Sequence, residues 1–308
     1  MAYFLAIDAG GTKTDYLLAD ETSEVARVRT RTIKRLRTDD QTAKDNLDSA
    51  MRCLETLSGV PMLQVRRTCV GTAGQTVPLV TDFLRSELGA RVGGSLLILG
   101  DVEIALDAAF PGESGILVLA GTGSNVAGRT ASGHVQTVGG WGPALSDQGS
   151  GYRIGHMAVR AVGQAHDEGC DSLLLEAMLR FWKLDSFDHL VEHANRTPPP
   201  DLSQLVEIVV QCAAQGDALA QGILVSQGEE LAGLVRLLIR KLRAASGEMA
   251  FVPRLAFAGS IMEKVPTVRK ALIDAVSAEF PETVALEGVV DPVLGALWRA
   301  RAGNGFAE

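Results

Sequence analysis

Apolar and polar positions follow two different periods along this chain. Short apolar runs of strand length fall at 3–8, 14–20, 25–32, 66–71 and 96–100, with helical spacing between them at 42–57 and 77–89. A second group begins at Gly115, where GILVLAG, SNVAGRT and HVQTVGG predict three short strands joined by Gly, Ser and Thr. Beyond Ser146 the pattern turns to long helices, interrupted by the loop Asn195-Arg196-Thr197-Pro198-Pro199-Pro200. The spacing over 217–245 predicts one long helix, RLAFAGS (254–260) a strand running into a glycine turn, and 291–302 a last helix. Strands alternating with helices in this way predict an α/β fold with mixed sheets.

Two stretches share one grammar. FLAIDAGGTKTDYLLAD (4–20) and ILVLAGTGSNVAGRT (116–130) each read as apolar strand, small-residue turn rich in Gly and Thr, second strand. The first is not a Walker A loop, because Thr12 rather than glycine precedes Lys13 and a strand rather than a helix follows. Nor can Gly10-Gly11 supply the three glycines of a dinucleotide fingerprint. A glycine hairpin can still aim backbone N–H groups at an anion as a nest. The alternative is a plain hairpin whose glycines only supply positive φ. Recurrence about 110 residues later, near the start of each half, favours two phosphate-binding turns on two lobes.

Composition narrows the partners. At 308 residues the length predicts about two domains by the ~150-residue norm. A formal net charge of −8 argues against bulk binding to nucleic acid or an anionic membrane. The exception is local: Arg27, Arg29, Arg31, Lys34, Arg35 and Arg37 crowd RVRTRTIKRLR, an alternation that suits an exposed strand face or, alternatively, an anion-facing or partner-facing edge. Cys53, Cys69, Cys170 and Cys212 form no C-x-x-C pair, and Cys53 and Cys69 fall in apolar patterns that predict buried thiols. This usage fits a reducing cytoplasm, and no signal peptide or bilayer-length apolar run is expected.

Candidate chemistry lies at strand ends. Asp101 closes SLLILGD, where open α/β sheets bind ligands, and could accept a proton from an attacking hydroxyl or simply cap the following helix. Asp8 could bind magnesium or hydrogen-bond its own glycine turn. In GGWGPALSDQGSGYRIG (139–155), glycines surround Trp141, which could stack on a sugar, and Asp147, which could accept sugar hydroxyls. The alternative there is a long turn with Ser146 or Asp147 as a helix cap. His189-Leu190-Val191-Glu192-His193 matches the inverted zinc-protease spacing, but lies in a helical region of ordinary surface character.

IDAGGTKT, the strand-end Asp101, AGTGSN, GGWGPALSDQGSG, FAGS and PVLGALWRA occur in this order. From residue 4 to about 300 the chain resembles the N-acetylglucosamine kinase branch of the BadF/BadG/BcrA/BcrD ATPase family, within the actin-like ATPase and sugar kinase superfamily. The resemblance implies two ribonuclease-H-like (actin-like ATPase) lobes with a cleft between them, one lobe from 1–113 plus 291–308 and the other from 114–290 with helical insertions. It implies ATP and magnesium as cofactors, N-acetylglucosamine or a related hexosamine phosphorylated at its 6-hydroxyl, and a cytoplasmic homodimer. Asp8 would hold magnesium through water, and Gly10, Gly11 and Thr12 the phosphates, with Gly121, Thr122 and Gly123 as the second phosphate turn. Asp101 would be the general base; Thr122, Trp141 and Asp147 would border the sugar, and Gly259 and Ser260 the adenosine.

Two positions depart from the family pattern. Where G-D-E-G-S-G is usual, this chain has Ser146-Asp147-Gln148-Gly149-Ser150-Gly151. Where the sugar kinases carry an asparagine after the third strand, it has Thr32-Ile33-Lys34-Arg35-Leu36-Arg37, which leaves the sugar's identity open. Two other classes remain: an ATPase of the same family without sugar kinase activity, and a non-catalytic sugar or nucleotide sensor. The iron–sulfur ATPase activators of the family use closely spaced cysteines, whereas Cys53 and Cys69 are sixteen residues apart.

Overall fold

A computed structural model describes residues 1–246 and 251–306, which divide into one unit from Met1–Ser114 with Val290–Glu308 and another from Gly115–Val289. The first unit begins with β1 (Tyr3–Ala9), β2 (Lys13–Ala19), β3 (Glu24–Arg31) and α1 (Asp40–Ser58). It continues with β4 (Val65–Thr72), α2 (Pro78–Gly89), β5 (Ser95–Leu99) and α3 (Asp101–Ala109). The second unit contains β6 (Gly115–Ala120), β7 (Ser124–Arg129), β8 (Val135–Gly139), α4 (Gly151–Asp167), α5 (Leu173–Trp182) and α6 (Phe187–Ala194). Then come α7 (Val206–Ala214), α8 (Ala218–Ser246), β9 (Arg254–Ala258), α9 (Ser260–Lys264), α10 (Pro266–Ser277) and β10 (Val284–Ala285). The chain then re-enters the first unit as α11 (Pro292–Ala302).

The two sheets share one topology. The first is ordered β3-β2-β1-β4-β5 and the second, in the same sense, β8-β7-β6-β9-β10. In each, the leading three strands are antiparallel neighbours and the later two join in parallel. The repeat read from the two hairpins is therefore a repeat of whole sheets. The units differ in what separates the third strand from the fourth: α1 in the first, and α4 to α8 in the second.

Burial follows the pleat. On β1, Leu5 and Ile7 face a core with Leu47, Leu54 and Leu84 of α1 and α2. Phe4 and Ala6 point the other way, into a core with Ile104 of α3 and Val293, Ala296 and Leu297 of α11. A strand covered on both faces reads as a continuous apolar run, which is why 3–8 stood out in the sequence. In the second unit one large core joins Ile116, Val118 and Val126 to Leu231, Val235 and Leu238 of α8. Gly155 allows α4 its close approach, since a Cβ there would lie 1.9 Å from the Leu202 carbonyl oxygen.

Two expectations need correction. Cys53 is exposed on the outer side of α1, because the helical period places it away from Ala50, Met51 and Leu54, which face the core; Cys69 is buried as expected. The region 261–290, for which no element was predicted, holds α9, α10 and β10, and β10 is only two residues long.

Candidate active site

Strands β1, β3, β4 and β5 run in the same direction, so the segments that follow them leave the sheet at one end. That end gathers the Gly10–Thr12 turn, the basic segment 32–37 and Asp101 at the start of α3. The turn between β1 and β2 is three residues long, and neither Gly10 nor Gly11 has a positive φ. The glycines are therefore not required by backbone conformation. A Cβ on Gly10 would lie 3.0 Å from the Lys13 carbonyl oxygen, while Gly11 and Thr12 are exposed. Thr32 fastens the turn, its hydroxyl donating to the Gly10 carbonyl at 2.7 Å and its N–H to the Thr12 carbonyl at 3.1 Å.

The pleat also decides which carboxylates meet. Asp8 has the same parity as Phe4 and Ala6, so it belongs to the sheet face covered by α3 and α11. Asp15 stands directly opposite it on β2. The beginnings of α3 and α11 bring Asp101 and Asp291 near the same place. Burial, then the charges of Asp101, Asp15 and Asp291, push the Asp8 carboxyl up to about 7, against a small opposing effect of Lys13. Two of the four acids are neutralised by β3: Arg29 Nε lies 2.6 Å from Asp15 and Arg27 2.6 Å from Asp291. Among the described residues Asp8 and Asp101 have no cation within 4 Å, and no hydrogen bond reaches the Asp8 carboxylate from its turn.

Asp101 is the first residue of α3, not its cap. Gly100 occupies the cap position, and the Glu103 carboxylate accepts the Gly100 N–H at 2.9 Å. The capping alternative for Asp101 therefore falls to its neighbour. Burial raises the Asp101 pKa, while the N–H of Val102 at 2.9 Å and the charge of Lys34 oppose the rise. A half-buried carboxylate that is easier to protonate than usual suits acid–base work.

In the second unit β6, β8 and β9 likewise end on one side of their sheet. The three-residue turn Gly121–Gly123 again has no positive φ. It is tied to the start of α4, with the Gly151 N–H donating to the Gly121 carbonyl at 2.7 Å. Ser150 is the helix cap, accepting from the Arg153 N–H at 3.1 Å, so neither Ser146 nor Asp147 has that duty. Asp147 is buried with φ +68, and a Cβ on Gly123 would lie 3.1 Å from its Oδ2. Burial raises its pKa, partly countered by the Ser124 N–H. Gln148 accepts a hydrogen bond from the Ser146 hydroxyl at 3.0 Å, a neutral contact at the position where a glutamate is usual. Trp141, on the same loop, is 74 % exposed.

Gly259, at φ +91, turns the chain from β9 into α9 so tightly that a Cβ would lie 2.3 Å from the Ala120 carbonyl oxygen. Ser260 consequently lies against Gly121. Gly121, Thr122 and Ser260 line one cavity of about 590 Å³. Phe181, Val206, Val210 and Ile261 give it apolar walls, and Gln204, Glu207 and Lys264 polar ones. An apolar slot with a few polar groups beside a glycine turn suits a base and ribose next to a phosphate chain. The wall residues from α5 and α7 carried no sequence signal, because ordinary helical spacing does not distinguish a cavity wall from a surface.

His189 lies in the first turn of α6, and His193 packs on the Trp182 ring with centroids 4.6 Å apart. Among the described residues no group of three His, Cys, Asp or Glu could hold a metal, and no single helix is long and apolar enough to cross a membrane.

Comparison with known proteins supplies the remaining finding. The sequence model of the BadF/BadG/BcrA/BcrD ATPase family matches residues 5–300. The chain is 27 % identical over 320 residues to the N-acetylmuramic acid/N-acetylglucosamine kinase of Clostridium acetobutylicum, covering 98 % of this chain and 99 % of that protein. It is also 27 % identical over 310 residues to the N-acetyl-D-glucosamine kinase of Dictyostelium discoideum, covering 95 % and 96 % respectively. A crystal structure from Chromobacterium violaceum, provisionally named an N-acetylglucosamine kinase, shares the fold with a TM-score of 0.73 at 22 % identity, over 96 % of this chain and 98 % of that one.

Proposed function

This chain belongs to the BadF/BadG/BcrA/BcrD ATPase family, and on that footing we propose that it is an ATP-dependent sugar kinase acting on the 6-hydroxyl of N-acetylglucosamine or a related hexosamine. The observation that carries the reading is the proximity of two carboxylates without an ion-pair partner among the described residues, Asp8 and Asp101, at the same sheet end as an exposed glycine turn.

Asp101 takes the proton of the acceptor hydroxyl as its oxygen bonds to the γ-phosphorus and the bond from that phosphorus to ADP breaks. Gly10, Gly11 and Thr12 contact the phosphates, and Gly121, Thr122 and Gly123 form the second phosphate turn. Ser260, which lines the 590 Å³ cavity, and Gly259, which turns the chain into it, border the adenosine. Thr122, Trp141 and Asp147 border the sugar. Magnesium fits this donor set. Asp8 is a carboxylate raised to about 7 by burial first and by neighbouring acids second, with no cation within 4 Å among the described residues, and a divalent ion relieves the repulsion between those acids. Asp8 would hold the ion through water, and the bound ion would neutralise charge on the transferred phosphoryl group.

The same reading carries a homodimer and a cytoplasmic location as proposals; the free, exposed Cys53 and Cys170 accord with a reducing compartment. An ADP-release assay over hexoses, hexosamines and N-acetylated sugars tests the reading. Release stimulated by N-acetylated hexosamines supports it. Tight ATP binding with no turnover on any sugar favours a sensor instead.

A further inference from the structure

The six cations of the segment 27–37 are not equivalent. Arg27 pairs with Asp291, Arg29 with Asp15, and Arg35 with Asp40 at 3.3 Å while its guanidinium also lies over the Phe83 ring. Arg31 at the end of β3 has no carboxylate within 4 Å among the described residues, and neither do Lys34 and Arg37 beyond it. Lys34 and Arg37 are held together by a turn, in which the Arg37 N–H donates to the Lys34 carbonyl at 2.8 Å. Thr32 locks that turn to the glycine hairpin, and its hydroxyl also accepts the Lys34 N–H at 3.0 Å. Arg37 reaches back over the hairpin, its Nε 3.9 Å from where a Cβ of Gly11 would stand. Lys34 is half-buried, and its charge is felt by Asp101.

We propose that Lys34 and Arg37 form an anion-recognition site for a carboxylate carried by the acceptor sugar, so that the preferred substrate is an acidic N-acetylhexosamine. The inference rests on the sugar-kinase reading above and specifies its substrate class. A hydroxyl delivered to Asp101 brings the rest of its sugar within reach of the Lys34 ammonium. A neutral sugar offers that ammonium only weak dipolar contacts, whereas a carboxylate makes charge-assisted hydrogen bonds of about twice the strength. The half-burial of Lys34 is a cost that an anionic ligand offsets. Its pKa is lowered by that burial, with Asp101 countering part of the effect and Arg37 adding to it. The absence of asparagine from 32–37 agrees with a changed sugar contact. One relative of this chain is named for N-acetylmuramic acid as well as N-acetylglucosamine, and the former bears a carboxylate.

The test measures initial rates of the full chain with magnesium and ATP on N-acetylglucosamine and on N-acetylmuramic acid. The quantity read is the ratio of kcat/KM for the acid over the neutral sugar. Lys34→Gln is expected to lower that ratio about 10- to 100-fold, Arg37→Gln to lower it less, and Lys34→Arg to restore most of it. A ratio within twofold of wild type in Lys34→Gln overturns the proposal. So does an equal loss on both sugars with a raised KM for ATP, which assigns the two cations to the nucleotide. Wild-type protein that phosphorylates N-acetylglucosamine but not N-acetylmuramic acid removes this inference and leaves the kinase reading standing. Turnover of no sugar at all removes the kinase reading and this inference with it.

Discussion

Asp8 and Asp15 face each other across the β1–β2 pair, yet only Asp15 has an arginine, Arg29, at 2.6 Å. Asp8 is left with its pKa near 7, raised by burial first and by the neighbouring acids second. Proton and divalent cation therefore compete for one carboxylate near neutral pH. Magnesium is expected to raise the Tm more at pH 8 than at pH 6, and Asp8→Asn is expected to abolish that difference. Equal magnesium stabilisation at both pH values contradicts the account.

The same carboxylate makes a prediction about stability alone. Its folded pKa lies above the unfolded value of 3.8, so the folded chain binds more protons and stability falls as pH rises from about 4 through 7. Asp8→Asn mimics the protonated form. Without metal it is expected to be more stable than wild type at pH 8, by roughly 1–4 kcal/mol, and to show little gain at pH 4. Denaturant melts of both proteins at the two pH values measure this, and a variant less stable than wild type at pH 8 refutes it.

Gly259→Ala tests the turn proposed to border the adenosine. The new methyl would lie 2.3 Å from the Ala120 carbonyl oxygen at a φ of +91, so the turn must shift away from Gly121 and Ser260. The expected result is a KM for ATP raised about tenfold or more, on the order of 1.4 kcal/mol, with the sugar KM changed far less. An unchanged KM for ATP would separate this turn from the nucleotide.

Asp107 is fully buried on α3 and receives Arg299 Nε of α11 at 2.5 Å, joining the last helix to the first unit. Asp107→Ala leaves the arginine facing an apolar core. It is expected to lower stability by about 3–5 kcal/mol in chemical denaturation. A loss below about 1 kcal/mol would show that the helix docks by apolar packing alone.

Gln227 on α8 supports the loop that carries Asp147, proposed to border the sugar, its Oε1 accepting the Gly149 N–H at 3.2 Å. Gln227→Leu strands that buried N–H, at about 1–3 kcal/mol. The sugar KM is expected to rise through loosening of Asp147, while the KM for ATP holds. Unchanged sugar kinetics would disconnect the loop from the acceptor.

Much of this architecture was legible in the sequence, because β1 and β6 are buried on both faces and their turns are rich in Gly and Thr. Asp8 and Asp101 could be picked out as strand-end carboxylates from local pattern. Their relation to Asp15 and Asp291 could not, since it depends on register across the sheet and on α11 returning from nearly 200 residues away. The alternating arginines of β3 suited an exposed strand face or an anion-facing or partner-facing edge, and the pattern alone could not name their partners. They are exposed in alternation, but two of them neutralise those acids. Lys34 stood out as one of six crowded cations and in a stretch where an asparagine is usual; its electrostatic coupling to Asp101 could not be read, since β3 and β5 lie at opposite edges of the sheet and only the segment 32–37, with Leu36 against Gly74, carries the chain across its end.

The central claim is that Asp101 deprotonates a sugar hydroxyl in phosphoryl transfer from ATP. Sugar-dependent ADP release by wild type and Asp101→Asn, compared at saturating ATP, tests it most directly. The account predicts turnover by wild type and a loss of about 10²–10⁴-fold in the variant, with ATP binding retained. Near-normal sugar phosphorylation by Asp101→Asn would contradict it.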